Sequence, residues 1–173
     1  LYAPVLMIIN GFSILPNTLG TYFYPKLSYL FGKTNRAILI WHKIIKIYLV
    51  SFIFMVPLIV VAYLVMDDFI KFFPKYLDSL PYMKIGLLAG PFVLSKLGNL
   101  VNVILKKVNY MGVFVAQYAF FQFIYLFIFY NYITKDILYC AIWTQVFTSV
   151  SMFITNFFIN QKVIRKHIAK FEI

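Results

Sequence analysis

Five apolar stretches, each long enough to cross a lipid bilayer, account for most of this 173-residue chain. A hydrocarbon core about 30 Å thick needs ~20 apolar residues of helix to span it. Leu1–Tyr24, Ile44–Met66, Ile85–Leu105, Met111–Ile133 and Ile137–Ile159 each reach that length. In lipid a backbone must satisfy its own hydrogen bonds, so these stretches predict an all-α integral membrane protein with five transmembrane helices.

The charges between the stretches set the direction of each crossing. The first joint carries Lys26, Lys33, Arg36 and Lys43 and no acid. In the second, Asp67, Asp68 and Asp78 cancel Lys71, Lys75 and Lys84. The third joint is Lys106 and Lys107, the fourth Lys135 with Asp136, and the tail has Lys162, Arg165, Lys166 and Lys170 against Glu172. Basic, neutral, basic, neutral, basic is the alternation that the positive-inside rule produces when every stretch crosses once. The expected orientation places the first residue outside and the tail in the cytoplasm.

A hydrophobic fraction of 63% and a mean hydropathy of +0.86 exceed what a soluble domain of this size could bury. The net charge of +11 does not indicate a nucleic-acid partner, because the basic residues mostly occupy the two cytoplasmic joints and the tail. There they set topology and attract anionic headgroups, making membrane lipids the expected partners. Tyr22, Tyr24, Trp41, Tyr63 and Tyr82, with Tyr2 near the start, lie near span ends, where amphipathic rings suit the headgroup layer. The lone Cys140 forms no internal disulfide. The opening on Leu1 inside an apolar stretch, without a basic leader, points to a fragment. The alternative is a small five-helix protein that has lost its initiator residue.

Polar residues within the spans are arranged in faces. Asn10, Ser13, Asn17, Thr21 and Tyr24 form a stripe about 80° wide on the first helix. Such a stripe either bonds to a neighbouring helix or walls a hydrated cavity. Lys96 stands twelve residues after Lys84 and ten before Lys106, roughly 15 Å from either boundary and beyond easy snorkelling. A lysine at that depth costs ~2.5–3.5 kcal/mol on the insertion scale and normally faces a bundle interior or water. Ser95, Asn99, Asn102 and Lys106 adjoin it, widening the polar arc to about 120°. A structural role, pairing with a carboxylate elsewhere in the protein, is the competing reading.

Pro91 and Gly98 predict a bend in this third helix, and Gly86 with Gly90 predict close backbone packing within the monomer. Thr144, Thr148, Ser151 and Thr155 make a narrow face on the fifth helix, read as packing contacts, with Gln145, Ser149 and Asn156 beside it. The fourth helix, rich in phenylalanine, is expected to face lipid. Residues 161–173 are expected to form a basic amphipathic helix on the cytoplasmic surface, with Val163, Ile164, His167, Ile168 and Phe171 on its apolar side.

Nothing in the sequence supports catalysis. His42 and His167 lack Cys or acidic neighbours at metal-ligand spacing, and no phosphate loop or nucleophile elbow occurs. No cofactor and no metal are expected.

The start Leu1-Tyr2-Ala3-Pro4, the polar-striped first helix, and Tyr24-Pro25-Lys26-Leu27-Ser28 with Gly32-Lys33 resemble one region of bacterial polysaccharide flippases of the O-antigen and teichoic-acid type. That region is the eighth helix and the joint that follows it. These flippases belong to the exporter superfamily that includes multidrug extruders. Phe72-Phe73-Pro74-Lys75-Tyr76 is similar to the family's aromatic-Gly-x-x-Tyr region, with Pro74 in place of glycine. Helices eight to twelve of a twelve-helix transporter would have the orientation derived from charge.

The resemblance implies a two-lobe transporter in the bacterial cytoplasmic membrane that rocks around a cationic cavity. Its cargo would be an undecaprenyl-diphosphate-linked oligosaccharide, moved from the inner to the outer leaflet, with sodium or proton as a coupling ion. Lys96, Asn99, Asn102, Asn10 and Asn17 are the candidate cavity residues. Alternatives are a cation-coupled multidrug exporter of the same superfamily and a membrane-embedded glycan polymerase or acyltransferase.

Overall fold

The computed structural model describes residues 2–107 and 109–171. Leu1, Val108, Glu172 and Ile173 lie outside the described residues, as do the side chains of Tyr2 and Phe171. The expectations for Leu1, Tyr2, Phe171 and Glu172 therefore lie outside them too. Regular structure among the described residues is entirely helical.

Four helices are long and apolar enough to cross a membrane, and a bent pair supplies a fifth if its two arms make one span. The chain is thus an all-α membrane protein of about five spans, as its hydropathy predicts.

Helices α1 (Tyr2–Thr34) and α2 (Ala37–Phe69) form an antiparallel hairpin. Each has 33 residues, about 50 Å of helix, so each overruns a 30 Å hydrocarbon core. The predicted spans Leu1–Tyr24 and Ile44–Met66 are therefore short of the helices they mark. Apolar windows report the part suited to lipid, whereas lysine and arginine continue a helix well through the headgroups. Even Pro25, which removes a backbone donor, leaves α1 unbroken. What ends α1 is Asn35, left-handed at φ 51°, whose N–H donates to Phe31 O at 2.7 Å.

The third stretch departs furthest from a regular span. After short 3₁₀ turns at Ile70–Phe72 and Pro74–Ser79 come α3 (Leu80–Leu87), a 3₁₀ segment at Gly90–Gly98, and α4 (Asn99–Ile104). The arms Pro74–Leu87 and Gly90–Ile104 meet at 44°. A bend was expected from Pro91; a nine-residue 3₁₀ run was not, because such runs seldom exceed three or four residues. α4 closes with paired bonds, Lys106 N–H to Val103 O at 3.1 Å and Lys107 N–H to Asn102 O at 2.7 Å, with Lys106 left-handed at φ 54°. This is a Schellman cap with lysine where glycine is usual.

α5 (Asn109–Ile128) ends in a π turn, Phe129–Ile133, and buries only Phe114 along its α-helical length. That leaves most of it facing outward, as its phenylalanines suggested. α6 (Ile137–Phe171) starts on Asp136, whose Oδ1 accepts from Leu138 and Tyr139 N–H at 2.9 and 3.2 Å.

α6 corrects the expectation of a separate tail helix. It runs through Asn160 without a break, and Val163 and Ile164 are buried in the same core as Ile40, Trp41 and Leu105. The apolar side of the tail packs on protein, with His167 edge-on to Phe31 at 5.7 Å.

The core lies where α1, α2, the 3₁₀ segment and α6 converge, around Ile44, Leu94, Leu97, Val101 and Ile142. Gly86 and Gly90 sit inside this packing. A Cβ on Gly86 would lie 3.0 Å from Val5, and one on Gly90 would lie 2.7 Å from Ile59. Close approach within the monomer is thus their use. The outward face of α2, including Ile53, Phe54, Leu58, Val61 and Leu64, is exposed and apolar, as a lipid-facing surface should be.

Candidate functional site

A cavity of about 410 Å³ opens between α1, the 3₁₀ segment, α5 and α6. Its walls hold three of the five predicted site residues: Asn10 from α1, and Lys96 and Asn99 from the bent stretch. Lys96 Nζ donates to Ser13 Oγ at 3.0 Å, tying the 3₁₀ segment to the polar stripe of α1. Lys96 is exposed in this chain and has no carboxylate partner among the described residues. The two ion pairs present there, Lys71–Asp68 and Lys84–Asp67, lie at the opposite end of α2 from its lysines.

The local winding explains the grouping. In a 3₁₀ helix residues three apart eclipse, so Lys96 and Asn99 fall on nearly one azimuth at the junction with α4. α6 adds Gln145, Ser149 and Asn156, and α5 adds Tyr118. Gln145 Oε1 accepts from Gln122 Nε2 at 2.6 Å and from Tyr118 Oη at 3.1 Å, so the polar rim is braced across α5 and α6. Asn99 Oδ1 and Asn156 Oδ1 are buried and accept no bond from any described residue. Desolvated acceptors of this kind are costly.

One cation, several amides and hydroxyls, and apolar walls from Phe92, Phe114 and Met152 therefore face one space. The arrangement suits an anion attached to a hydroxyl-rich group. Among the described residues no group of three or more His, Cys, Asp or Glu could hold a metal ion.

The other two predicted residues are placed elsewhere. Asn17 is exposed on α1 beyond the cavity, its backbone carbonyl accepting from Thr21 Oγ1 at 3.0 Å. Asn102 is fully buried, its Nδ2 donating to Asn160 Oδ1 at 2.8 Å. It belongs to an interior polar knot in which Tyr48 Oη donates to Ser95 O at 3.2 Å. Gly98 forms the floor of that knot: a Cβ there would lie 2.3 Å from Asn160 Nδ2 and 2.9 Å from Tyr48 Oη. Asn102 thus joins α4 to α6 and does not line the cavity. α-helical winding after Asn99 turns it by about 60°, enough to point it at α6.

Tyr118 and Asn160 were not foreseen. Tyr118 lies four residues before Gln122, a helical pairing visible in the sequence, whereas Asn160 falls just beyond the predicted span. Comparison with known proteins finds no matching family model, curated protein or solved structure.

Proposed function

We propose that this chain forms part of a lipid-linked oligosaccharide flippase. It would belong to the C-terminal lobe of a two-lobe transporter in a bacterial cytoplasmic membrane, with its lysine-rich helix ends and C-terminus in the cytoplasm. The observation that carries this reading is Lys96, held without a carboxylate partner among the described residues in a cavity lined by Asn10, Ser13, Asn99, Gln145 and Asn156. An ammonium attracts a diphosphate and donates charge-assisted hydrogen bonds to it, and amides and hydroxyls bond sugar hydroxyls. The cargo is an undecaprenyl-diphosphate-linked oligosaccharide moved to the outer leaflet, with sodium or proton as the coupling ion.

The test is complementation of a flippase-deficient strain with quantified membrane protein. Lys96→Ala should impair export at normal protein level, and Lys96→Arg should retain more because the cation is kept. Full export by normally expressed Lys96→Ala would overturn the cationic-cavity role.

A further inference from the structure

A second cavity, of about 630 Å³, lies between α1 and α2 towards their shared hairpin turn, away from the Lys96 site. Its rim carries three cations: Lys26 from α1, and Lys43 and Lys46 from α2. Lys26 precedes Asn35 by nine residues, while Lys43 and Lys46 follow Arg36 by seven and ten. All three therefore sit roughly 10–15 Å along their helices from the turn, at one level. None of them has a carboxylate partner among the described residues, and no acid occurs in the sequence before Asp67. Lys26 is steadied by Tyr22, which accepts from its ammonium and places its ring beneath it, 3.7 Å from the centroid.

The lining is ordered along the helix axes. Leu19 and Phe23 lie one to two turns from Lys26 on the side away from the hairpin turn, and Val50 lies one turn beyond Lys46 on that same side. Lys26, Lys43 and Lys46 thus form a belt with Tyr29 and Leu30 on its turn side, and an apolar trough runs from the belt towards the middle of both helices. The predicted spans end at Tyr24 and begin at Ile44, which puts Lys26 and Lys43 at the headgroup layer, Lys46 in the first turn inside it, and the trough alongside the acyl chains. An occupant needs a negative head and a hydrocarbon tail in that order.

We infer that this cavity is a specific binding site for one anionic glycerophospholipid of the bilayer, its phosphate among Lys26, Lys43 and Lys46 and an acyl chain against Leu19, Phe23 and Val50. Paired helices with converging lysines at the headgroup level recognise such lipids by charge, with hydrophobic burial of the chain. The inference depends on the membrane fold and is independent of the transport reading.

Native mass spectrometry of the full-length protein in detergent tests it. Phosphatidylglycerol and phosphatidylcholine of identical acyl chains would be titrated separately. Wild-type protein should retain phosphatidylglycerol and shed phosphatidylcholine, and millimolar inorganic phosphate should leave the adduct in place, since the chain contributes to binding. Lys26→Gln/Lys43→Gln/Lys46→Gln should weaken phosphatidylglycerol binding roughly a hundredfold, about fivefold per lysine. Val50→Trp keeps every lysine and fills the trough, and it should also displace the lipid; this variant decides the question if the triple variant does not fold. Equal retention of both lipids, displacement by inorganic phosphate, or unchanged binding in both variants would overturn the assignment.

Discussion

Gly98 and Asn160 are packed so closely that a single methyl group on Gly98 would lie 2.3 Å from the Asn160 amide nitrogen. Asn160 is fully buried and held by Asn102, so it cannot swing aside without giving up that bond. Gly98→Ala should therefore destabilise the protein by about 1–3 kcal/mol, the usual penalty for overpacking. Thermal unfolding in detergent measures this. Gly98→Ala combined with Asn160→Ala should cost less than the two single losses summed, because the clash is absent from the double variant. A Gly98→Ala protein as stable as wild type would show that the knot is loose.

Asn102 and Asn160 should behave as a pair. Asn102→Leu leaves a buried amide without its partner and should cost about 1–3 kcal/mol. Asn102→Leu with Asn160→Leu replaces both amides by hydrocarbon and should be less damaging than the two single losses summed. Additive losses would mean that the bond does not couple α4 to α6.

Lys106 offers a change of opposite sign. At φ 54° its side chain carries the steric penalty of the left-handed region. Lys106→Gly removes that penalty at some cost in unfolded-chain entropy, for a net gain of about 0.5–1 kcal/mol. Lys106→Ala, which keeps the Cβ, should show no gain. The melting temperatures of the two variants provide the comparison.

Orientation is accessible to chemistry. With Cys140 replaced, cysteines at Lys33 and Lys107 should resist a membrane-impermeant thiol reagent in intact cells, and one at Asp78 should react. The alternation of basic and neutral joints motivates this expectation. Labelling at Lys33 with protection at Asp78 would reverse the topology.

The helices, the bend near Pro91, the adjoining placement of Lys96 and Asn99 and the stripe that holds Asn10 were legible in the sequence because hydropathy, proline and polar spacing act locally. The role of Asn102 was not. A helical wheel places it beside Asn99, and only the position of α6 decides that Asn160 receives it. Asn17 failed for a related reason: the stripe on α1 is real, but the cavity borders only its first part, at Asn10 and Ser13. The continuity of α6 was hidden because the charged half of its tail resembles a surface helix, and its apolar half needed Ile40, Trp41 and Leu105 to be seen as core.

The 3₁₀ winding at Gly90–Gly98 makes the length and the heading of the Lys96 side chain a single variable. Nine residues at 2.0 Å rise span about 18 Å, whereas as α-helix they span about 13.5 Å. The same rewinding changes the turn per residue from 120° to 100°, which over the six steps from Gly90 to Lys96 amounts to about 120°. The segment is in effect a screw thread: drawing its ends together by ~4 Å would carry the ammonium a third of a revolution away from Ser13.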